Sequence, residues 1–407
     1  MSTDGMRRAL GDEPLDHSVA WSVLEQRLSE IVAWERKVTF AVSEPFPDVV
    51  RAWSLFAGRN SNNIGAHRAP PDCLRGTKRL EREVMLALAD LLHDTAAEGW
   101  LTGGGTEGNL TGLWLARNDL RAVGCRAPCV LASPLCHDSI AKGCDMLGLH
   151  LELVELGADG AMCPAGLQKA VEGLSDTDSV IVTATVGASE TGTCDNVEAA
   201  ASVLRDHCRV PWRLHVDASL AGLVLPFVAP ARAFDFRVLE VSSIVVDPHK
   251  MAGVPLGVGA FLCRSGLGNR LWQANFGGVD LLTLSGSRAG AAAAAVWLAL
   301  FGQGRIGLRR RAEGCLRLKA RFLEGVRRKI PELRVVHDQD VNVAAVHFAG
   351  LPHARIPVEV ERAYRLEPTR LHHLPGRSGG VYYRFKFMPH LTEEAVDLLV
   401  DALPRAC

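Results

Sequence analysis

Beyond about residue 98 the chain alternates short apolar runs with stretches in which apolar residues return every three or four positions. The runs Gly99–Thr102, Val130–Ser133, His150–Leu156, Val180–Val186, Leu214–Asp217, Ser243–Val246 and Gly257–Cys263 are predicted strands. Between them, the segment carrying Leu110, Leu113, Trp114 and Leu120, then His137–Leu147, Cys163–Leu174 and Val197–His207, have helical spacing. Such alternation predicts an α/β domain with a mainly parallel sheet, with ligands bound at the carboxyl ends of its strands.

The flanks carry other patterns. Residues 1 to about 18 are polar, and the stretch from Val19 to about Thr39 has Trp21, Leu24, Leu28 and Ile31 on one stripe. This predicts a helical arm, packed either on another domain or subunit or on its own core. Ser61-Asn62-Asn63-Ile64-Gly65 has loop composition, and Leu80, Val84, Leu88 and Leu91 mark an amphipathic helix. Residues 302–330 form a basic helix with Leu308, Leu318, Phe322 and Val326 as its apolar stripe, and its charges read as a solvated face. Strands at Leu333–Val336, Val341–Phe348 and Val381–Phe387 follow, and a closing helix, Glu393–Leu403, has Thr392 as its N-cap. The expected divisions are a helical arm to residue 60, a large domain over 61–300, and a small C-terminal α+β domain over 301–407.

Composition narrows the function. A net charge of -1 over 407 residues argues against nucleic acid as a partner. The longest apolar run, Ala289–Phe301, is too short to cross a bilayer, and Met1–His17 has no apolar core, so neither a membrane span nor a signal peptide is expected. The 11 cysteines are scattered, and Cys125 and Cys129 have no matching Cys/His pair nearby in sequence. No metal site is expected, and reduced thiols point to the cytoplasm.

The candidate chemistry lies at strand ends. Lys250 closes Asp247-Pro248-His249-Lys250 just after an apolar strand, where an ammonium without a use is costly and a lowered pKa makes an amine nucleophilic. Asp217 ends another strand. A lysine and a carboxylate so placed suit pyridoxal phosphate, whose aldehyde forms an imine with an amine and whose ring nitrogen stays protonated beside an acid. Gly103-Gly104-Gly105-Thr106-Glu107-Gly108-Asn109 leads from a strand into a helix, a ready cradle for a phosphate. It also satisfies G-x-G-x-x-G, but the next strand ends at Ser133 and no acid follows before Asp138, which argues against a dinucleotide-binding dehydrogenase. His137 and Ser189 also follow strands, so both can reach the same crevice.

These residues lie within longer matches: GTKRLEREV at 76–84, GGTEGNLTGLWLAR at 104–117, HDSIAK at 137–142, GASETGTCDNV at 187–197, HVDAS at 215–219, DPHKM at 247–251, SGSRAG at 285–290 and RFKFMPHLTEE at 384–394. With them the chain resembles the group II pyridoxal-phosphate-dependent amino-acid decarboxylases of the fold-type I, transferase-like superfamily. It is most similar to the short bacterial histidine, plant serine and archaeal tyrosine/aspartate enzymes. The resemblance implies Lys250 as the Schiff-base lysine, Asp217 as partner of the ring nitrogen, and His137 stacked on the ring near the substrate carboxylate. It implies Gly104, Gly105, Thr106 and His249 around the phosphate, with Ser287 reaching across from a second subunit. Ser189 and Ser219 belong to the cofactor site, and Asn63, His67 and Arg384 are candidate substrate contacts. A homodimer with its active site at the interface is implied, acting on an L-amino acid to give an amine and carbon dioxide.

Three departures from the resemblance are visible. Ser219 replaces the usual alanine beneath the ring. Asp138 replaces a common aromatic after His137. None of the three tyrosines, Tyr364, Tyr382 and Tyr383, falls in the expected mobile loop from Trp272 to Thr283, which carries Phe276 instead. Loss of a loop tyrosine keeps a second outcome open, an aldehyde in place of the amine. Aldolase or carbon–carbon lyase chemistry on the same scaffold is the other alternative.

Overall fold

The computed structural model describes residues 17–29, 38–66, 74–126, 128–174, 179–271, 275–276, 279–375 and 380–405, with backbone alone at 275, 276 and 279. Three helices come first: α1 (His17–Ser29), α2 (Pro47–Ala57) and α3 (Arg75–Leu91). The large unit then runs β1 (Glu98–Thr102), α4 (Gly105–Ala122), β2 (Cys129–Ala132), α5 (Asp138–Leu147), β3 (His150–Leu153), α6 (Pro164–Glu172), β4 (Val180–Thr185), α7 (Val197–His207), β5 (Trp212–Asp217), α8 (Leu225–Val228), β6 (Val241–Val246), α9 (Pro248–Met251) and β7 (Gly259–Cys263). A two-stranded ribbon, β8 (Asn275–Phe276) with β9 (Val279–Asp280), precedes the long α10 (Gly290–Lys329). The C-terminal part holds β10 (Leu333–Val336), β11 (Val343–Phe348), α11 (Val358–Tyr364), β12 (Pro368–Arg370), β13 (Val381–Lys386) and α12 (Glu393–Ala402).

The main sheet has the order β1-β7-β6-β5-β4-β2-β3. Every pair is parallel except the two made by β7, which runs antiparallel to β1 and β6. β4 and β6 are buried at every residue, which is why they read as continuous apolar runs without alternation. Helices on both faces bury a core in which Val182, Leu214, Val216 and Ile244 are fully enclosed.

The helices start where local chemistry provides caps. Asn196 accepts the Ala199 N–H at 3.0 Å to begin α7, and Thr392 caps α12 through the Ala395 N–H. The smaller sheet, β10-β11-β13-β12, is wholly antiparallel and packs Phe348, Tyr383, Phe385 and Phe387 against Phe322 and Val326 of α10. α10 crosses the boundary expected at residue 301. It breaks at Gly304 (φ 61°, ψ -177°), and its side chains join the large core as far as Cys315 and the smaller one from Leu318. One window of α10 is apolar enough to pass for a membrane span, but Ala293, Ala295, Val296 and Ala299 there are buried in the large core. α1 buries no residue in this chain, and Trp21, Leu24 and Leu28 are exposed.

Candidate active site

One cavity of about 300 Å³ opens at the carboxyl ends of the parallel strands. Of the expected site residues, Gly104, Gly105, Thr106, His137, Ser189, Asp217, Ser219, His249 and Lys250 all line it. They come from the β1–α4 turn and first turn of α4, the N-cap of α5, the turn after β4, the end of β5 with the turn beyond it, and α9.

The β1–α4 turn needs glycine. Gly104 caps α4 at φ 130°, a conformation that side chains resist. A Cβ on Gly105 would lie 2.6 Å from Ser219 Oγ and 2.8 Å from Asp247 Oδ2. The first turn of α4 therefore faces the cavity with bare backbone and the positive end of its dipole, while Glu107 returns to accept the Gly103 N–H at 2.7 Å. His249 donates from Nδ1 to the Val258 carbonyl at 2.7 Å, and its Nε2 lies 3.9 Å from Asp247 Oδ2.

Asp217 sits at the centre of a buried network. Ser219 donates to Oδ1 from both its N–H (3.1 Å) and its hydroxyl (2.6 Å), and Asn109 donates to Oδ2 at 2.7 Å. Burial alone would raise this carboxyl's pKa. The positive charge of Lys250, then the Ser219 and Asn109 hydrogen bonds, outweigh it and hold Asp217 below the ordinary carboxylate value. Asn109 is fixed in turn by His215, whose Nε2 lies 3.0 Å from Asn109 Oδ1 and whose Nδ1 lies 2.8 Å from Ser243 Oγ. Since Asn109 Oδ1 can only accept, His215 carries its proton on Nε2. Burial lowers the His215 pKa to about 4, so the ring stays neutral.

The same asparagine reaches His137. Asn109 Nδ2 also lies 2.9 Å from Ser139 Oγ, which lies 2.9 Å from His137 Nδ1, and the Ser139 N–H donates to that nitrogen as well. Ser139 and, at 3.1 Å, Asp138 Oδ1 thus engage the His137 ring at Nδ1. Lys250 Nζ lies 3.1 Å from Asp247 Oδ2.

Two departures read from sequence change meaning in space. The Ser219 hydroxyl is turned onto Asp217, where it supports that charge. The Asp138 charge beside His137 is met by Lys142 at 2.5 Å, whose hydrogen bond keeps the carboxyl ionised. As for the tyrosines, Tyr382 and Tyr383 are buried in the C-terminal part, and the Tyr383 hydroxyl is held by Glu361 at 2.5 Å.

Three expected residues lie away from the cavity in this chain. Asn63 is 1% exposed, sealed under its own loop, so it presents nothing to a substrate here. Its carbonyl and that of Gly65 are clamped by the buried Lys78, itself paired with Glu81 at 2.9 Å. Ser287 faces Asn62, whose Nδ2 donates to its hydroxyl at 3.2 Å, in a separate depression. Arg384 is engaged by Glu190 at 2.7 Å. His67 lies outside the described residues, as do the side chains of Asn275 and Phe276. Asn109, His215, Ser243 and Lys386 were not singled out from sequence. Asn109, His215 and Lys386 fall inside quoted motifs, but only the fold shows that Asn109 and His215 touch. Cys129, unpaired in sequence, has His150 and Glu152 beside it across β2 and β3, with potential ligand atoms within 4.8 Å of one another.

The donor set suits pyridoxal phosphate. A bare helix start answers a phosphate, an ionised buried carboxylate answers a protonated ring nitrogen, and an amine answers an aldehyde. One buried oxygen of Asp247, Oδ1, has no hydrogen-bond partner among the described residues, so the cavity wall is not yet satisfied by protein alone.

Comparison with known proteins agrees. The model of the pyridoxal-dependent decarboxylase conserved domain matches residues 75–350. A probable L-tyrosine/L-aspartate decarboxylase of Methanoculleus marisnigri is 31% identical over 94% of this chain and 95% of its own. An L-aspartate/L-glutamate decarboxylase of Pyrococcus horikoshii is 28% identical over 87% of each chain. Among solved structures, the glutamate decarboxylase of Lactobacillus brevis superposes with a TM-score of 0.83, covering 98% of this chain and 94% of that one at 16% identity. The chain belongs to the pyridoxal-dependent decarboxylase family. It is a pyridoxal-phosphate-dependent amino-acid decarboxylase of fold type I.

Proposed function

We propose that the enzyme releases carbon dioxide from an L-amino acid and returns the amine, with Lys250, Asp217 and His137 as its working groups. The observation that carries this assignment is the Ser219–Asp217–Asn109 network, which keeps one carboxylate ionised and aimed into the cavity. Pyridoxal phosphate, when bound, supplies an aldehyde for the amine and a cationic ring that draws electrons from a bond to Cα. Gly104, Gly105, Thr106 and His249 would hold its phosphate. Asp217 keeps the ring nitrogen protonated. His137, braced at Nδ1 by Ser139, would pack on the ring near the substrate carboxylate. Lys250 would supply the amine that holds the aldehyde and, when not so engaged, an acid–base group in the cavity.

The active form in this reading is a homodimer in the cytoplasm. The exposed stripe of α1 supports the dimer, and so does Ser287, placed outside its own chain's cavity where it could serve a partner's. None of the nine described cysteines is paired in a disulfide, which suits a reducing compartment. With no loop tyrosine, the proton for Cα comes in this reading from His137, His390 or water. Reaction in heavy water with a panel of L-amino acids, followed by mass spectrometry, tests this. An amine lighter by carbon dioxide and carrying one deuterium at Cα is expected, whereas an aldehyde or a product retaining its carboxylate would overturn the amine assignment.

A further inference from the structure

β13 presents two cations, Arg384 and Lys386, on one face toward the turn after β4. They are not equivalent. Glu190 closes on the Arg384 guanidinium at 2.7 Å, so that charge is already met. Lys386 is 7% exposed, and its Nζ makes a single hydrogen bond, to Ser189 Oγ at 2.9 Å. Among the described residues no carboxylate lies within ion-pair distance of it. The other two buried lysines are fully served. Lys78 has Glu81 and two carbonyls, and Lys319 has the carbonyls of Asp338, Gln339 and Val341. An ammonium has three donors, so Lys386 keeps two for something else, and its one partner, Ser189, lines the cavity. A buried, unpaired cation beside a substrate pocket is costly unless the ligand brings the anion.

We propose that Lys386 is a carboxylate-binding position of the active site, holding a carboxylate of the substrate that Arg384, closed off by Glu190, does not take. The inference rests on the decarboxylase reading and adds a specificity-determining residue to it. Burial, then the charges of Arg384 and Lys250, lower the Lys386 pKa to about 8, as expected for an amine that lacks its counter-ion.

The test reads binding without turnover. The cofactor-loaded protein is titrated calorimetrically with succinate, a dicarboxylate without an amine, and with 3-(4-hydroxyphenyl)propanoate, which has one carboxylate. Wild type is compared with Lys386→Met and Lys386→Arg, and visible circular dichroism of the cofactor confirms an intact site. Lys386→Met is expected to weaken binding by about tenfold or more, the effect of losing one charge-assisted hydrogen bond, while Lys386→Arg retains most of it. Equal weakening of both ligands assigns Lys386 to the carboxylate common to all amino acids, and weakening of succinate alone assigns it to a side-chain carboxylate. Unchanged affinity for both ligands overturns the proposal. If Lys386→Met loses the cofactor, Lys386→Gln, which can still bond Ser189, is read in its place by the same criteria. Failure of the underlying reading appears separately, as no carbon dioxide from wild type with any amino acid.

Discussion

Asn109 holds Asp217. Its Nδ2 donates to Asp217 Oδ2 at 2.7 Å while its Oδ1 accepts from His215 Nε2 at 3.0 Å, so the carboxylate is fixed by a residue that is itself fixed. A lone buried carboxylate would tend to take up a proton and lose its use beside a ring nitrogen. Replacing Asn109 by Leu removes the donor and leaves His215 without its acceptor. The cofactor dissociation constant should rise about ten- to hundredfold, the range for a hydrogen bond to a charged group. Fluorescence titration of apo-protein with pyridoxal phosphate measures this, and an unchanged constant would show that Ser219 and the helix start suffice.

His215 gives the fold a pH dependence of its own. Its pKa falls from 6.5 to about 4 on burial. The unfolded chain takes up a proton near pH 6.5 and the folded chain does not until about pH 4. The stabilising effect is therefore complete above pH 6.5 and is lost as pH falls toward 4, by roughly 3 kcal/mol in total. Urea denaturation of wild type and His215→Gln across this window should show a slope in wild type that the variant lacks.

The glycine at the start of α4 is required by close approach. A methyl group on Gly105 would meet Ser219 Oγ and Asp247 Oδ2. Gly105→Ala should fold, because alanine favours a helix, yet bind the cofactor at least about tenfold more weakly as its cradle is pushed open. Thermal unfolding and cofactor titration of the same sample separate the two effects.

Carboxylate binding at Lys386 should also depend on pH. The groups facing its amine are Ser189 and Glu190 in the turn after β4, Arg384 on its own strand and Lys250. Because its pKa stands at about 8, succinate affinity should be level below that pH and fall about tenfold per unit above it. A level profile to pH 9.5 in wild type would contradict the placement.

Much of this molecule was legible in its sequence because its central strands are buried on both sides. β4 and β6 could be read from apolar runs alone, α7 from its period, and α12 from its period and cap. The antiparallel β7 was visible as a strand but not in its partners, since it joins β1 to β6 across a long gap in sequence. α11 is seven residues with mixed charge, and β12 is three residues beginning at Pro368, so neither leaves a period to detect. The site divides the same way. Glycine, lysine and carboxylate at strand ends announce themselves, whereas His215 and Asn109 lie 106 residues apart and Arg384 and Glu190 lie 194 apart. Only the fold makes the first pair a brace, and only the fold shows the second arginine to be occupied.

Lys250 lines this cavity and Lys386 bonds to its wall through Ser189, and the account depends on which of the two amines holds the cofactor. Reduction of the pyridoxal-phosphate-loaded enzyme with borohydride, then peptide mass spectrometry, decides it directly. The account predicts one phosphopyridoxyl group per chain, on the peptide containing Lys250, with Lys386 unmodified. A label on Lys386, or no stable label at all, would contradict it.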